Sequence, residues 1–591
     1  MRRIPGLAAL AACIVANGAQ AGPSKPLETI AERSAFRSTG RFDEVERLCR
    51  DYASTWPDAV RCTEFGRTPE GRPMLALTIS RSGALTPEDA RERGTPVMLI
   101  QGGIHAGEID GKDAGFLAVR ELLLGKAFPD ALRSFVLVFV PVFNVDGHER
   151  FGKWNRPNQS GPEEMGWRAT AQNLNLNRDY CKADAPEMQA MLRLLDAWDP
   201  VLYVDLHVTD GAQFQHDVSN TLEPIYAGDA GLQPGGRALV KELNEALTRM
   251  GSLPLDFYPE FLKEDDPASG FAVGASEPRF STGYWGLRNR YALLVETHSW
   301  KDYPTRVRIT RNTIVTLADM MARRGKDWRA LARQADERAA KIGGTPVTLS
   351  YQTGQHVSTI DFRGYAYTRE PSAISGDLVT HYDAGKPQIW RVPLYDSVAP
   401  KLVVRAPSGG YIVPAAHAAW MAERLSIHGI DFDRIGRVQR GASVETFRAT
   451  AVSFANTSFE GRIAVDFAGE WKPERVDVAE GSLFVPIAQG RARLVMTLLE
   501  PQSPDSYAAW GFFDNAFERK EYMEPYVAEQ VAKEMLQSDP QVAAEFRRRL
   551  ETDAQFARDP KARLDFFYRR HASWDRAYNL YPVYRSDSRL R

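Results

Sequence analysis

Blocks of apolar and polar positions follow one another along the first 300 residues, and they predict alternating strands and helices. Continuous apolar runs such as 134–147 are typical of strands that are covered on both faces of a sheet. Segment 111–127 instead carries its apolar residues at helical spacing. The predicted strands are 70–81, 96–105, 134–147, 201–207 and 291–298, and the predicted helices are 43–56, 111–127 and 187–198. This alternation predicts an α/β fold whose central sheet is mixed and flanked by helices.

The pattern changes beyond a stretch with charged faces, 318–342, which predicts one or two helices. GGTP at 343–346 is a turn or linker. Short strand candidates then follow, namely VTLSY, KLVVR, RIAVDF, SLFVPI and ARLVMTLL, before a helix-rich tail at about 520–558. We therefore predict a first α/β domain over 22–342 and a second mixed α/β domain of unknown fold over 343–591.

The N-terminal segment has the pattern of an export signal. Two arginines precede a short apolar run, and Ala19-Gln20-Ala21 fits a small-residue cleavage site. The run is too short to span a bilayer, and no later segment has the ~18 apolar residues of a membrane helix. Lipidation at Cys13 is the alternative, but little apolar sequence precedes it. We interpret 1–21 as a signal peptide, which places the mature chain in the periplasm or outside the cell.

Composition narrows the function classes. The chain of 591 residues is 43% hydrophobic and 25% charged, which is typical of a soluble globular protein. Its formal net charge of -2 gives no reason to expect a nucleic-acid partner. Cys49 and Cys62 can close a short loop, which leaves Cys181 free. The sequence has no CxxC pair, so a thiolate metal site is not expected.

Polar residues stand at the ends of three predicted strands. His105 and Glu108 follow one strand, His207 ends the next, and Glu296 ends the last. In open α/β sheets, ligands bind outside the carboxyl ends of the strands. Two imidazoles and one carboxylate form a zinc shell with an open position, and a further carboxylate can then move protons. Each residue taken alone is more often an ordinary loop or core side chain, but the combination favours a metal site.

Six motifs in order resemble one known family. They are FGRTPEGRPM, GGIHAGE, FNVDG, NLNRDY, DLH and VETH. Between about residues 38 and 310 the sequence resembles the zinc carboxypeptidase family, the carboxypeptidase A-like metallopeptidases. The resemblance implies one zinc per chain, held by His105, Glu108 and His207. It also implies Glu296 as the general base and hydrolysis of a peptide bond near a C-terminus.

The resemblance also implies substrate-binding residues. Asn177 and Arg178 match the motif that holds the terminal carboxylate, a group that suits the planar fork of an arginine. An arginine must also stabilise the oxyanion. Motif order favours Arg168 in GWRAT for that role, with Arg156 in KWNRPN as the competitor.

The sequence departs from the family in three respects. Many members carry an arginine between the histidine and glutamate ligands, where this chain has Ala106-Gly107. No clear counterpart exists for the tyrosine that closes over substrate in the digestive enzymes, although Tyr284 is nearby in sequence. Three arginines before Glu296 are either a cationic pocket or ordinary surface charges, and they are Arg279, Arg288 and Arg290. Asp205 either orients an imidazole or is a plain strand-end acid.

The sequence therefore predicts an exported zinc metallocarboxypeptidase whose partner is a peptide or peptide-like substrate. An alternative within the fold is a zinc amidohydrolase that acts on peptidoglycan stem peptides or acylated amino acids. An alternative from another class is a non-catalytic peptide-binding module. The oligomeric state does not follow from the sequence.

Overall fold

A computed structural model describes residues 27–590, so the predicted signal peptide lies outside the described residues. The first part of the chain contains eight main strands. They are β1 (Val60–Arg67), β2 (Pro73–Ile79), β3 (Val97–Gly102), β4 (Val136–Val140), β5 (Leu202–Thr209), β6 (Val218–Glu223), β7 (Pro254–Leu255) and β8 (Tyr291–His298). They form one sheet in the order β1-β2-β4-β3-β5-β8-β6-β7. Strands β4, β3, β5 and β8 run parallel. Strands β1 and β2 pair antiparallel with their neighbours, and β6 pairs antiparallel with β8 and parallel with β7. The predicted mixed sheet is confirmed.

Helices pack against this sheet. They are α1 (Ile30–Arg33), α2 (Phe42–Thr55), α3 (Pro87–Arg93), α4 (Asp110–Leu123), α5 (Val145–Glu149), α6 (Pro186–Trp198), α7 (Gln233–Arg249), α8 (Ser281–Leu287) and α9 (Tyr303–Ala339). The stretch 318–342 belongs largely to α9, one continuous helix of 37 residues. Helix α9 begins where the Asp302 side chain accepts a hydrogen bond from the Thr305 N–H at 3.0 Å, which satisfies one of the unpaired donors at a helix start.

The central strands are buried along their whole length. Every residue of β3, β4 and β5 is buried, as their continuous apolar runs predict. Strand β4 is shorter than the predicted 134–147, because it ends at Val140, just before Pro141. Asn144 then caps α5 by accepting from the Gly147 N–H at 2.9 Å.

The second part of the chain is also α/β. Its strands are β9 (Pro346–Thr353), β10 (Val357–Pro371), β11 (Leu378–Tyr395), β12 (Val398–Arg405), β13 (Gly410–Val413), β14 (Asp433–Arg434), β15 (Gln439–Phe454), β16 (Val465–Val478), β17 (Leu483–Pro486) and β18 (Tyr584–Ser586). Its helices are α10 (Ala415–Ile427), α11 (Ala492–Leu499), α12 (Pro525–Ser538), α13 (Pro540–Thr552), α14 (Ala554–Arg558) and α15 (Pro560–Tyr568). Six strands form a sheet in the order β14-β17-β13-β18-β15-β16. The domain boundary at residue 343 stays a prediction.

The two parts of the chain share apolar packing. The largest apolar core contains buried residues from both sides of residue 343. Strand β11 also pairs with the short strand Phe271–Ala272 of the first part, with Phe271 opposite Leu394. The second part is therefore in direct contact with segments that line the cleft described below.

One strand prediction in the second part is wrong. ARLVMTLL forms helix α11, in which seven of the eight residues are buried. A short run that is apolar on every side has no period that distinguishes a buried strand from a buried helix. The error therefore follows from complete burial rather than from strand propensity.

Cys49 and Cys62 form the disulfide that their spacing allows, and it joins α2 to β1. Cys181 is free and buried. Within residues 27–590, none of the helices combines the length and the apolar character that crossing a bilayer requires.

Candidate active site

Neighbouring parallel strands bring the predicted site residues to one edge of the sheet. Glu296 on β8 lies opposite His207 on β5 in the strand register. His105 and Glu108 lie on the turn that follows β3, which pairs with the other side of β5. Gly103 permits this turn because its φ of 64° is a conformation that favours glycine. The parallel direction of β3, β5 and β8 explains why residues so far apart in sequence converge.

His105, Glu108 and His207 form a compact triad. One ligand atom from each lies within 4.8 Å of the other two. The two Glu108 carboxylate oxygens lie 2.9 Å from His105 Nδ1 and 2.9 Å from His207 Nδ1. All three residues are buried. Two imidazole nitrogens and one carboxylate are a donor set that zinc prefers, so the triad fits this ion chemically.

The outer nitrogen of each imidazole has a polar neighbour. His105 Nε2 lies 3.0 Å from Asn175 Oδ1, which also accepts the Asn177 N–H at 3.0 Å. Because Asn175 Oδ1 is an acceptor, Nε2 of His105 carries the proton and Nδ1 keeps its lone pair. His207 Nε2 lies 2.9 Å from Asp205 Oδ2, so its Nδ1 likewise faces the triad. Asp205 therefore lies where a carboxylate can orient the imidazole of a metal-binding histidine.

The Glu108 carboxylate is held as an anion. Its Oε1 accepts from Arg156 Nη1 at 2.8 Å, and its Oε2 accepts from the Val208 N–H at 2.9 Å. Burial alone would raise the pKa of Glu108, but Arg156 and the two imidazoles outweigh burial and hold it well below its usual value. Burial lowers the pKa of His105 to about 4, with smaller contributions from Arg168 and His207. Glu108 and His105 are therefore in the protonation states that a cation needs.

Glu296 lies at the cleft beside the triad but is not part of it. Its side chain is nearly buried, with 8% of the residue exposed. Burial raises the pKa of Glu296 to about 8, and the nearby Glu108 and Asp205 carboxylates add to this shift. A cation held by the triad would oppose the shift, since positive charge favours the ionised carboxylate. Burial alone therefore favours the neutral form of Glu296, and a bound cation would favour the ionised form that a general base needs.

The two candidate oxyanion arginines differ in what they contact. Arg156 is buried and committed to Glu108 and to the Val208 carbonyl, to which its Nη2 donates at 2.8 Å. The Arg168 side chain is 43% exposed, lines the cleft, and its Nη1 lies 3.6 Å from Glu108 Oε1. Arg168 is therefore the arginine with donors available to a substrate, whereas Arg156 uses its donors to hold Glu108 of the triad.

Asn177 and Arg178 also line the cleft. The Arg178 guanidinium stacks over the Phe280 ring, 4.5 Å from its centroid, and donates to the Asn177 carbonyl at 2.8 Å. Asn177 Oδ1 accepts the Ser281 N–H at 3.0 Å. These contacts fix the two side chains at the wall of the cleft without neutralising the arginine by a close carboxylate.

Gly107 explains why this chain lacks an arginine between its histidine and glutamate ligands. A Cβ atom at Gly107 would lie 2.8 Å from Arg156 Cγ and Cδ and 2.8 Å from the Gly166 carbonyl oxygen. No larger side chain fits there while Arg156 packs against Glu108. Arg156 therefore occupies the space that a side chain at position 107 would need.

The three arginines before Glu296 form no cationic pocket in the cleft, and two of them are not surface charges either. Arg288 and Arg290 are buried. They pair with Asp196 and Asp199, each at 2.8 Å. Arg279 pairs with Asp505 at 3.0 Å. Among residues 27–590, the lining of the cleft includes none of the three, so they stabilise the fold.

The cleft is larger than the triad requires. Its volume is about 1760 Å³, and its walls include Tyr226, Tyr258 and Tyr382. Tyr284, the tyrosine that the sequence suggested, is buried and its hydroxyl contacts His428 Nδ1 at 2.8 Å. The Tyr258 hydroxyl instead accepts a hydrogen bond from Thr209 Oγ1 at 3.1 Å at the cleft. Tyr258 belongs to no sequence motif, so its position at the cleft follows only from the fold.

A buried triad of this kind at the carboxyl edge of a mixed α/β sheet is an arrangement typical of zinc-binding enzymes. Residues 45–247 match the family model described as zinc carboxypeptidase. The predicted resemblance to the zinc carboxypeptidase family is therefore confirmed over these residues.

One similar protein is named as a carboxypeptidase and another is named as an inactive metallocarboxypeptidase. "Carboxypeptidase 2" of Trichophyton tonsurans is 21% identical over 482 residues, which are 75% of this chain and 79% of the relative. "Inactive metallocarboxypeptidase ecm14" of Schizosaccharomyces pombe is 34% identical over 121 residues, 19% of this chain and 24% of the relative. The crystal structure of carboxypeptidase A from Helicoverpa armigera aligns with 51% of this chain and 75% of its own, at 16% identity and a TM-score of 0.36. Because that score is low, the fold assignment rests on the sheet order given above.

Proposed function

We propose that the protein is an exported zinc metallocarboxypeptidase that removes residues from the C-termini of peptides. The observation that carries the proposal is the convergence of His105, Glu108 and His207 within 4.8 Å, with Glu296 opposite His207 on the neighbouring strand. The Cys49–Cys62 disulfide supports export, since disulfides persist in oxidising compartments.

The triad would hold one zinc ion per chain. When bound, zinc would act as a Lewis acid, which polarises a carbonyl group and makes a water molecule more acidic. Glu296 takes a proton from the attacking water and passes it to the leaving amine nitrogen. Arg168 donates to the carbonyl oxygen as negative charge develops there. Asn177 and Arg178 bind the terminal carboxylate of the substrate.

A comparison of two otherwise identical peptides, one with a free and one with an amidated C-terminus, tests this proposal. We expect loss of the C-terminal residue from the free peptide and a kcat/KM roughly 10- to 100-fold lower for the amide. The reason is that a hydrogen bond to a charged group is worth about 1.5–3 kcal/mol. Mass spectrometry of the digest gives the cleavage position. Internal cleavage of both peptides at equal rates would contradict a carboxypeptidase.

A zinc amidohydrolase of the same fold is the second candidate. Gly107 favours it, because an arginine contact to a free carboxylate is missing there. The arginines before Glu296 give it no support, since none of the three lines the cleft. Digestion of muropeptides beside free peptides of equal length separates the two activities. Tight binding of either without cleavage would instead support a non-catalytic module.

Substitution of the two arginines separates their roles. We expect Arg168→Ala to lower kcat by about 100- to 1000-fold, as the loss of an oxyanion donor does, with zinc retained. We expect Arg156→Ala to lower the zinc content, because Glu108 loses its charged partner. Steady-state kinetics with metal analysis checks both variants. The opposite pattern would assign the oxyanion role to Arg156.

A further inference from the structure

One hairpin tip of the second part of the chain reaches the loop next to the triad. Strands β15 and β16 are joined by residues 455–464, which we call the 455–464 tip. At this tip the Glu460 Oε2 atom accepts the Asn175 N–H at 2.8 Å. The two residues are 285 positions apart in sequence. This contact links the second part to the loop that carries Asn177 and Arg178.

Asn175 connects the tip to the triad. Its backbone N–H is held by Glu460, while its side-chain Oδ1 is 3.0 Å from His105 Nε2. The same Oδ1 caps the turn by accepting the Asn177 N–H. Asn175 therefore has its main chain bound by the second part of the chain and its side chain bound to His105 of the triad.

The 455–464 tip is itself held in place. Phe459 and Arg462 exchange two backbone hydrogen bonds, of 2.8 and 3.1 Å. Arg462 donates twice to the Asp184 carboxylate, at 2.8 and 2.9 Å. The Phe459 ring stacks on Trp510 with centroids 6.0 Å apart. The tip is thus a rigid support for the side chain that it presents.

Glu460 lies in the turn of this hairpin. Its φ is 50° and that of Gly461 is 76°, so both residues between Phe459 and Arg462 have the positive φ that a two-residue hairpin turn requires. The turn accounts for the backbone of Glu460, and the side chain accepts the Asn175 N–H.

We infer that Glu460 is a positioning residue for the metal site, acting through Asn175 on the imidazole of His105. The second part of the chain would then stabilise the zinc-binding geometry of the first. This inference rests on the proposed function only in that His105 is taken as a zinc ligand.

The test uses the full-length protein and three variants of Glu460. Glu460→Gly removes the side chain but accepts the left-handed backbone, and Glu460→Asn shortens the side chain while tolerating the same backbone. Glu460→Gln keeps an oxygen that can accept the Asn175 N–H. Glu470→Gln is the control, since Glu470 lies on the same hairpin with a side chain 71% exposed. Zinc dissociation constants are measured by chelator competition, and kcat and KM are measured separately.

We expect Glu460→Gly and Glu460→Asn to weaken zinc binding about tenfold, the lower end of the range for partners of metal ligands. Their kcat should fall, with KM for peptide little changed. Glu460→Gln and the control should bind zinc as the wild type does. Wild-type zinc affinity in both shortened variants, or a Glu460→Gln variant as weak as Glu460→Gly, would overturn the inference. A wild-type protein that binds no zinc at the triad would instead overturn the proposed function.

Discussion

Glu296→Gln is expected to lower kcat by about 100- to 10,000-fold while zinc stays bound, which is the usual contribution of a general acid–base group. Glutamine keeps the size of the side chain but cannot take a proton from water. Glu296 is not a member of the triad, so its loss leaves the three ligands in place. Steady-state kinetics on a free peptide, together with metal analysis of the same sample, measures both effects.

Glu245→Gln is a matched control for this variant. Glu245 also lines the cleft but is exposed on helix α7. We expect its kcat to match that of the wild type. Full activity in the Glu296→Gln variant would remove Glu296 from the mechanism.

Glu108→Ala is expected to lower zinc affinity by more than about 100-fold. Mutation of a residue that only hydrogen-bonds to a metal ligand already lowers metal affinity by about 10- to 100-fold. The variant should also unfold at a lower temperature than the wild type. Removal of Glu108 leaves the buried Arg156 without its carboxylate, and breaking a buried ion pair costs about 3–5 kcal/mol. Metal content after dialysis and a thermal melt measure the two losses.

Glu108→Gln separates zinc loss from unfolding better than alanine does, since its amide oxygen can still accept from Arg156, although the contact with the Val208 N–H is lost. Asp210→Asn is the control, because Asp210 is an exposed carboxylate 3.9 Å from the same arginine. We expect zinc loss in Glu108→Gln and zinc retention in Asp210→Asn. Full zinc content in both Glu108 variants would mean that the metal lies elsewhere.

The main site residues could be predicted because they end apolar strands. Continuous apolar runs mark β3, β5 and β8, and polar residues stand where those runs stop. The parallel direction of neighbouring strands then brings their ends together. Local sequence therefore carries enough information to predict His105, Glu108, His207 and Glu296 as neighbours, and the structure brings them together.

The remaining contacts depend on packing between distant segments, which a single sequence does not reveal. Arg156 contacts Glu108 across 48 positions, and Glu460 contacts Asn175 across 285. Arg288 carries a charge that the sequence suggests is exposed, yet it is buried because Asp196 pairs with it. These residues have no local motif, so their roles follow only from the fold.

The central claim is that one zinc ion is held by His105, Glu108 and His207 beside Glu296. X-ray data collected from crystals of the zinc-loaded protein on both sides of the zinc absorption edge locate that ion directly. We expect one anomalous peak per chain, in contact with both Nδ1 atoms and the Glu108 carboxylate. A peak at any other site, or none near these three side chains, would contradict the account.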